Sequence, residues 1–280
     1  MCKIIVDGVE LELKVGADPE LFVLNDEDKL VSAHGMVRGT KDSPFPVECG
    51  AIQVDGMALE FNINPAYTKE EFIKNTQVVM GELMRSIPKG HKVLAVPTAD
   101  FGKAYIASQP EAAKELGCSP DFNAYNGGAA NPKPNAELPF RTASGHVHVG
   151  WTDNMESSDS EHAYYCQQVT QVMDLLLGVP SVLMDSDTKR RSMYGQAGSY
   201  RPKSYGAEYR VLSNFWLKNE KLMAWVYDQT AAAVTKVLGG FNVADTQEVQ
   251  RVINSSDIEG AKSLIRRYNI QLPEESAYAN

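Results

Sequence analysis

Four short segments repeat one arrangement. Asp18 and Glu20 stand two residues apart. Glu60, Asn62 and Asn64 do the same, interleaved with Leu59, Phe61 and Ile63. His146 and His148 alternate with Val147 and Val149, and Glu208 and Arg210 with Tyr209 and Val211. In a β-strand a period of two means one face. Each segment therefore predicts a strand with one apolar face and one face of carboxylate, imidazole or guanidinium. Carboxylates with one or two imidazoles and arginines describe divalent cations held by protein oxygen and shared with phosphate oxygens. Mg²⁺ takes only one or two carboxylates per ion and draws its other oxygens from water and phosphate. Asp18, Glu20, Glu60 and Glu208 thus suffice for two or three ions. Guanidinium forks suit the β- and γ-phosphates, and Arg190, Arg191, Arg201 and Arg210 are the candidates.

Burying one such polar face is costly. Four together make sense around a cavity whose cations and anions neutralise them. Each motif alone has a plainer reading. Asp18-Pro19-Glu20 reads as a turn, Glu60 to Asn64 as a solvated edge strand, and His146-x-His148 as two satisfied histidines. An H-x-H strand also occurs in cupin metal sites, but Glu156 and His162 stand at the wrong distances for one. Lys189 and Arg190 read as a solvated helix end. The conjunction favours the cavity. So does a local excess of cations: Lys189, Arg190, Arg191, Arg201, Lys203 and Arg210 fall between 189 and 213, with Glu208 the only acid, in a chain of net charge −9.

The elements that must position these residues follow from pattern and punctuation. Residues 3–6 and 11–15 read as strands around Asp7-Gly8, and 51–64 as strands about a turn at Asp55-Gly56. Thr68 with Glu71 is a capping-box signature that opens a helix from about 69 to 87. Residues 144–151 and 205–216 read as strands, 160–178 and 219–238 as helices, and 246–254 and 258–268 as short closing helices. A brief helix is expected near 111–116. Residues 118–143 are rich in Pro, Gly and Asn and read as a long functional loop. No βαβ alternation and no G-x-G-x-x-G or G-K-[ST] loop occurs. The expected fold class is α+β, a curved, mainly antiparallel sheet forming an active-site funnel with helices on its outer face.

The chain has 280 residues, 43% hydrophobic and 22% charged, an ordinary globular composition, and one domain over 1–280 is expected. Its acidity argues against broad nucleic-acid binding. The four cysteines (Cys2, Cys49, Cys118, Cys166) are scattered and read as reduced thiols. No apolar run reaches eighteen residues and the first fifteen lack a signal-peptide layout, so a cytoplasmic location without membrane contact is expected.

G-A-D-P-E-L-F at 16–22, D-G-M-A-L-E-F-N-I-N-P at 55–65, S-G-H-V-H-V-G at 144–150 and R-R-S-M-Y-G-Q-A-G-S-Y-R-P-K-S-Y-G-A-E-Y-R at 190–210 resemble the phage-type carboxylate–amine ligases (amidoligases, type 2). That family belongs with the glutamine synthetase and glutamate–cysteine ligase superfold. The resemblance spans roughly 11–216; residues 217–270 read as helical packing. It implies ATP-dependent amide-bond formation through an acyl phosphate, with Mg²⁺ or, in its place, Mn²⁺. Carried over, Asp18, Glu20, Glu60, His146 and Glu208 match the metal ligands. His148 matches the neighbour facing the nucleotide, and Arg210 the phosphate-binding arginine. Arg191 and Arg201 are further phosphate candidates. In the mechanism so implied, Arg141 holds the carboxylate substrate and Asp121 is a candidate base for the amine. The partners are small-molecule or peptide acids and amines, in the cytoplasm of a bacterial host if the chain is phage-encoded. A phosphotransferase on the same architecture, or a catalytically silent metal- or nucleotide-binding protein, are the alternatives.

Overall fold

The computed structural model describes residues 3–6, 9–114, 121–133 and 137–278. Strands β1 (Lys3–Val6) and β2 (Val9–Glu12) form an antiparallel pair of their own. Strand β3 (Lys14–Leu24) comes next and runs unbroken through Asp18-Pro19-Glu20, so no turn forms there. Proline has no N–H to give to a ladder. Its position is tolerated because Pro19 lies opposite Gly145, whose backbone groups are engaged elsewhere. The Gly145 N–H donates to the Leu212 carbonyl at 2.9 Å, and its carbonyl accepts from Trp216 Nε1 at 3.1 Å.

Strands β4 (Leu30–Val31), β5 (Phe45–Val47), β6 (Gly50–Asp55) and β7 (Ala58–Ile63) follow. The turn between β6 and β7 places Gly56 at φ +58°. Helix α1 (Lys69–Ser86) begins as expected. Thr68 Oγ1 accepts the Glu71 N–H at 3.1 Å, while the Glu71 carboxylate reaches back to the Tyr67 N–H at 2.7 Å. Short elements come next: β8 (Lys92–Leu94), β9 (Thr98–Asp100), α2 (Lys103–Ala107) and α3 (Glu111–Lys114). The rest of the helix expected near 111–116 lies outside the described residues. The expected loop over 118–143 contains β10 (Phe122–Asn123), β11 (Ala129–Ala130) and β12 (Phe140–Thr142).

Strand β13 (Gly145–Gly150) carries both histidines. Helix α4 (Ser160–Met173) passes through a π-helical turn, Asp174–Gly178, into α5 (Val179–Met184). Helix α6 (Lys189–Met193) leads by a turn with Gly195 and Gly198 at φ +81° and +80° into β14 (Ser199–Lys203) and β15 (Gly206–Tyr209). The strand expected to reach 216 ends at Tyr209. The carbonyls of Arg210 and Val211 accept from Arg190 Nη2 at 3.1 Å and Nη1 at 2.6 Å instead of from a neighbouring strand. A 3₁₀ turn (Asn214–Lys218) and helices α7 (Glu220–Leu238), α8 (Thr246–Ser255) and α9 (Ile258–Arg267) follow.

The large sheet has the order β11-β10-β14-β15-β13-β3-β7-β6-β5, with β4 and β8 paired to the far end of β3. Its named strand pairs are antiparallel. Strands β9 and β12 form a separate pair. Helices α1, α4 and α7 pack against the large sheet. Val15, Ala17, Leu21, Leu59, Phe61, Val147, Val149, Ala207 and Tyr209 are buried in that core. Burying each large apolar side chain contributes roughly 1.5–3 kcal/mol. The architecture is therefore α+β, with an antiparallel sheet covered by helices. No helix among the described residues is long and apolar enough to cross a membrane.

A Cβ on Gly145 would lie 2.3 Å from the Ser213 carbonyl oxygen and 2.4 Å from Trp216 Nε1. Neither group can swing aside. Gly145→Ala is expected to destabilise the fold by about 3 kcal/mol, read as a lower melting midpoint. A midpoint unchanged by the methyl would mean that β13 does not approach the 3₁₀ turn this closely.

Candidate active site

The strand registers bring the four polar faces together. His146 lies opposite Asp18, and His148 opposite Glu208. Arg201 lies opposite Glu208 on the other side, and Glu20 opposite Glu60, which faces Gln53 in turn. Two carboxylate clusters result.

The first centres on Glu208, whose side chain is 0% exposed. Both its oxygens lie 3.1 Å from Arg201 Nη1, and Oε2 lies 2.8 Å from Lys203 Nζ. Arg210 Nη1 pairs with Oε1, and His146 Nδ1 stands 3.8 Å away. Asp18 Oδ1 lies 3.0 Å from His148 Nε2 and 3.6 Å from His146 Nδ1. The other nitrogen of His148, Nδ1, shares a 2.6 Å hydrogen bond with the Tyr205 hydroxyl. Burial opposes the charge on Asp18, but the neighbouring His148 and Arg210 outweigh it and hold the carboxyl below its ordinary pKa. Burial likewise opposes a charge on His148, but Asp18 and Glu208 raise its pKa. Burial, then Arg210 and Arg190, push His146 well below its ordinary value, so it is a neutral imidazole. Its Nε2 is buried and makes no hydrogen bond.

The second cluster joins Glu20, Glu60 and Asp55. Glu20 Oε2 accepts the Ser144 N–H at 2.7 Å. Gln53 donates to Glu60 and accepts from Asn62 Nδ2 at 3.2 Å, and Asp55 pairs with Lys41 at 3.1 Å. Burial, then the Asp55 charge, lift Glu20 to about 7. Burial, then Asp18, Asp55 and Glu20, push Glu60 well above the carboxylate range.

These donors suit hard divalent cations. Ligand atoms of Asp18, His148 and Glu208 lie within 4.8 Å of one another. The neutral His146 carries an orphaned buried nitrogen, and Glu20 and Glu60 are two buried carboxylates that repel each other. Each of these features is relieved by a bound cation.

An open cavity of about 130 Å³ covers this face, lined by Asp18, Glu20, Glu60, Arg141, Arg201 and Arg210 among others. A second cavity, of about 400 Å³ and more apolar, lies beyond Asp18 and His148 against Ile63, Pro65 and Tyr205. Asp18, Glu20, Glu60, His146, His148, Glu208, Arg201, Arg210 and Arg141 therefore converge on one region.

Two residues expected in the site stand elsewhere. Arg191 is buried behind the sheet, donating to the carbonyls of Asp185 at 3.0 Å and Ser181 at 3.0 Å, with the Asp185 carboxylate at 3.6 Å. These groups use its fork, so it is not placed to receive a phosphate. Asp121 faces a neighbouring cavity, where Asn131 Nδ2 holds it at 3.2 Å. It thus does not line the cavity on which the other candidates converge.

Arg190 corrects the reading of a solvated helix end. Its side chain is 1% exposed, and besides the two carbonyls it reaches Ser144 Oγ at 3.2 Å. The Tyr194 ring lies between it and Arg210, at 5.6 and 5.4 Å from their guanidinium carbons. Gln53, Asp55, Lys203, Tyr205 and Tyr194 were not named as site residues from sequence. For three of them the signal was present: Lys203, already counted in the cationic stretch, continues the alternation of Arg201, and Gln53 and Asp55 share a face across the hairpin from Glu60.

The shifted groups set a pH dependence. Glu20 and Asp174 are each raised to about 7, chiefly by burial, from ordinary values of 4.5 and 3.8. The folded chain keeps those protons where the unfolded chain has lost them, so stability falls as pH rises through that window. The raised Glu60 and His148 act in the same direction, and the lowered His146 against it. Without divalent metal the melting midpoint is expected to fall from about pH 5 to about pH 8. Mg²⁺ is expected to cancel the part due to Glu20 and Glu60 and leave that of Asp174. Melts in EDTA and in Mg²⁺ read both; a midpoint that rises with pH in EDTA would reverse the assignment.

Residues 142–275 match the Phage phiEco32-like COOH.NH2 ligase-type 2 family. No curated protein matches the sequence. Among 41 matching solved chains is a bifunctional glutathione synthetase from Pasteurella multocida. It is 11% identical, the match covering 96% of this chain and 50% of that one, with a TM-score of 0.43. This chain thus spans half the length of that enzyme. Another is a GmaS–ADP complex, 12% identical over 94% of this chain and 71% of that one, with a TM-score of 0.36. The matched segment carries His146, His148, Arg201, Glu208 and Arg210. The family that the motifs resemble is thus the one this chain matches over residues 142–275, the phage phiEco32-like carboxylate–amine ligases, type 2.

Proposed function

We propose that the protein is an ATP-dependent carboxylate–amine ligase that forms an amide through an acyl phosphate. The observation that carries this reading is Glu208, fully buried under Arg201, Lys203 and Arg210 and beside His146, next to a cavity lined by Asp18, Glu20, Glu60, Arg201 and Arg210. Cations gathered where carboxylates converge fit a site that must hold phosphate and metal side by side.

Asp18, His146 and Glu208 would hold one Mg²⁺, and Glu20 and Glu60 another. When bound, the ions supply charge neutralisation for the triphosphate. Arg201, Lys203 and Arg210 hold phosphate oxygens by charge-assisted hydrogen bonds. His148, fixed by Tyr205 and Asp18, faces the apolar second cavity, which suits the nucleoside. Arg141 lies on the far wall and holds the acid. A carboxylate oxygen of the acid attacks the γ-phosphorus, and the bond to the bridging oxygen of ADP breaks. The amine nitrogen then attacks the acyl carbon. The carbon–oxygen bond to phosphate breaks, and the amine loses a proton. Two anions must meet in the first step, so the chain contributes mainly by neutralising charge and fixing the line of attack.

ADP release with Mg-ATP, screened over amino acids, other acids and polyamines, tests this. Release that needs both an acid and an amine, with an amide product, supports the ligase. A stable phosphorylated product without amine would make the protein a phosphotransferase, and no Mg-ATP binding in calorimetry would leave neither reading standing.

A further inference from the structure

Lys41 is a cation paired with the second carboxylate cluster. Its Nζ lies 3.1 Å from Asp55 Oδ2, and it lines the main cavity with Asp55, Glu20 and Glu60. Burial opposes its charge, but Asp55, then Glu60 and Glu20, raise its pKa, so it feels all three carboxylates. The turn that carries it is held in place. Thr40 and Ser43 exchange two backbone hydrogen bonds of 3.1 Å around Lys41 and Asp42, and the Val54 N–H of β6 donates to the Gly39 carbonyl at 3.1 Å. A Cβ on Gly39 would lie 1.9 Å from the Ile52 carbonyl oxygen, so this backbone rests directly on β6. The side chain of Lys41 is not confined in that way. It is 48% exposed and ends a flexible four-carbon stem.

A half-exposed ion pair is weak and readily exchanged. A divalent ion held by Glu20 and Glu60 carries twice the charge of an ammonium, and the two repel each other when side by side. Lys41 and such an ion therefore compete for one field. An ammonium turned away from Asp55 needs another anion, and the cavity decides which. Strand β6 stands across the large sheet from β14 and β15, so Lys41 lines the cavity from the side opposite Arg201 and Arg210. A phosphate group held between those arginines and the carboxylate cluster is the anion that the released ammonium meets.

Resting on the ligase reading, we infer that Lys41 is an exchangeable counter-ion: it pairs with Asp55 in the metal-free protein and turns to a phosphate oxygen when the Glu20–Glu60 ion and the nucleotide are both bound. Lys41 thus weakens the binding of that second ion on its own and strengthens the binding of the metal–nucleotide complex. The ion and the nucleotide then favour each other, and the coupling is reciprocal. The second ion is taken up chiefly together with the nucleotide.

Two measurements with opposite expected signs test this. Binding of Mn²⁺ alone is followed by the EPR signal of the free ion. Binding of the Mn²⁺-loaded β,γ-methylene analogue of ATP is followed by calorimetry. Both are made on the wild type, Lys41→Met and Lys41→Arg. Lys41→Met is expected to bind its second Mn²⁺ at least about fivefold more tightly than the wild type. It is expected to bind the loaded analogue at least about fivefold more weakly. Lys41→Arg, which keeps a cation on the same turn, is expected to follow the wild type in both. A general loosening of the site would weaken both affinities together. Melting curves confirm that the variants are folded, and Lys41→Gln takes the place of Lys41→Met if the latter is not. The inference is overturned if either affinity of Lys41→Met is unchanged or shifts the other way, if Lys41→Arg behaves like Lys41→Met, or if all forms take only one Mn²⁺. Failure of the ligase reading looks different: the opposed shifts persist, but no acid and amine together release ADP from Mg-ATP.

Discussion

Glu208→Gln is expected to lower the melting midpoint by roughly 10 °C and to cut ATP turnover by at least about 10³-fold. The side chain is wholly buried, and Arg201, Lys203 and Arg210 share its charge. An amide at that place leaves three cations facing one another, one of them on an oxygen where an NH₂ now points. Breaking a buried ion pair costs about 3–5 kcal/mol because the surviving charge is stranded. In a chain of this size each kcal/mol moves the midpoint by about 2–4 °C. Phosphate or sulfate is expected to restore part of the midpoint, since an anion can settle among the stranded cations. Mg²⁺ is not. Thermal melts in chloride, sulfate and Mg²⁺ separate these cases, and a variant that melts with the wild type in all three would show that Glu208 is not their common counter-ion.

Glu60→Gln is expected to move stability and activity in opposite directions. In the metal-free protein Glu60 is buried beside Glu20, with Asp18 and Asp55 near enough to push its pKa well up. Removing one charge relieves that repulsion, so at pH 8 the variant is expected to gain about 1–2 kcal/mol. The amide oxygen still accepts from Gln53, so no donor is orphaned. Activity with Mg-ATP is expected to fall by at least about 100-fold, since a ligand oxygen of full charge is lost. The rise in midpoint that Mg²⁺ gives the wild type should shrink in proportion. A variant less stable than the wild type in EDTA, yet active, would refute both halves.

Most of the central architecture was legible because it rests on a period of two. His146-x-His148, Glu208-x-Arg210 and Glu60-x-Asn62 announce their faces without reference to any partner strand, and the registers then bring those faces together. Asp18-Pro19-Glu20 was harder, since proline normally argues against a central strand. Only the engagement of Gly145 by Leu212 and Trp216 makes room for it, and that is a tertiary fact. Arg190 and Arg191 show the limit more sharply. Adjacent on a helix of one turn, they point to different places: one to the carbonyls that end β15, the other to Ser181 and Asp185. No pattern of charge in sequence distinguishes a guanidinium that binds backbone from one that waits for phosphate. Asp121 was misplaced for a related reason. A loop's composition marks it as a loop but does not say which cavity it borders.

The π-helical turn carries a further consequence. Asp174 opens it and, from beneath the sheet, accepts the Tyr209 hydroxyl at 2.7 Å and the Gly198 N–H at 2.6 Å. It thus fastens the glycine turn before β14 and the strand bearing Glu208 to one point on the helical layer. A π turn holds one residue more than an α-helix would over the same span. Losing a residue from 175–178 would let α4 and α5 join as one regular helix, but would rotate Asp174 by about 100° relative to α5. Leu175, Leu176 and Leu177 are therefore open to exchange for other apolar residues of similar bulk, whereas the length of the segment is fixed. In natural or laboratory variation this stretch should drift in spelling and never in count.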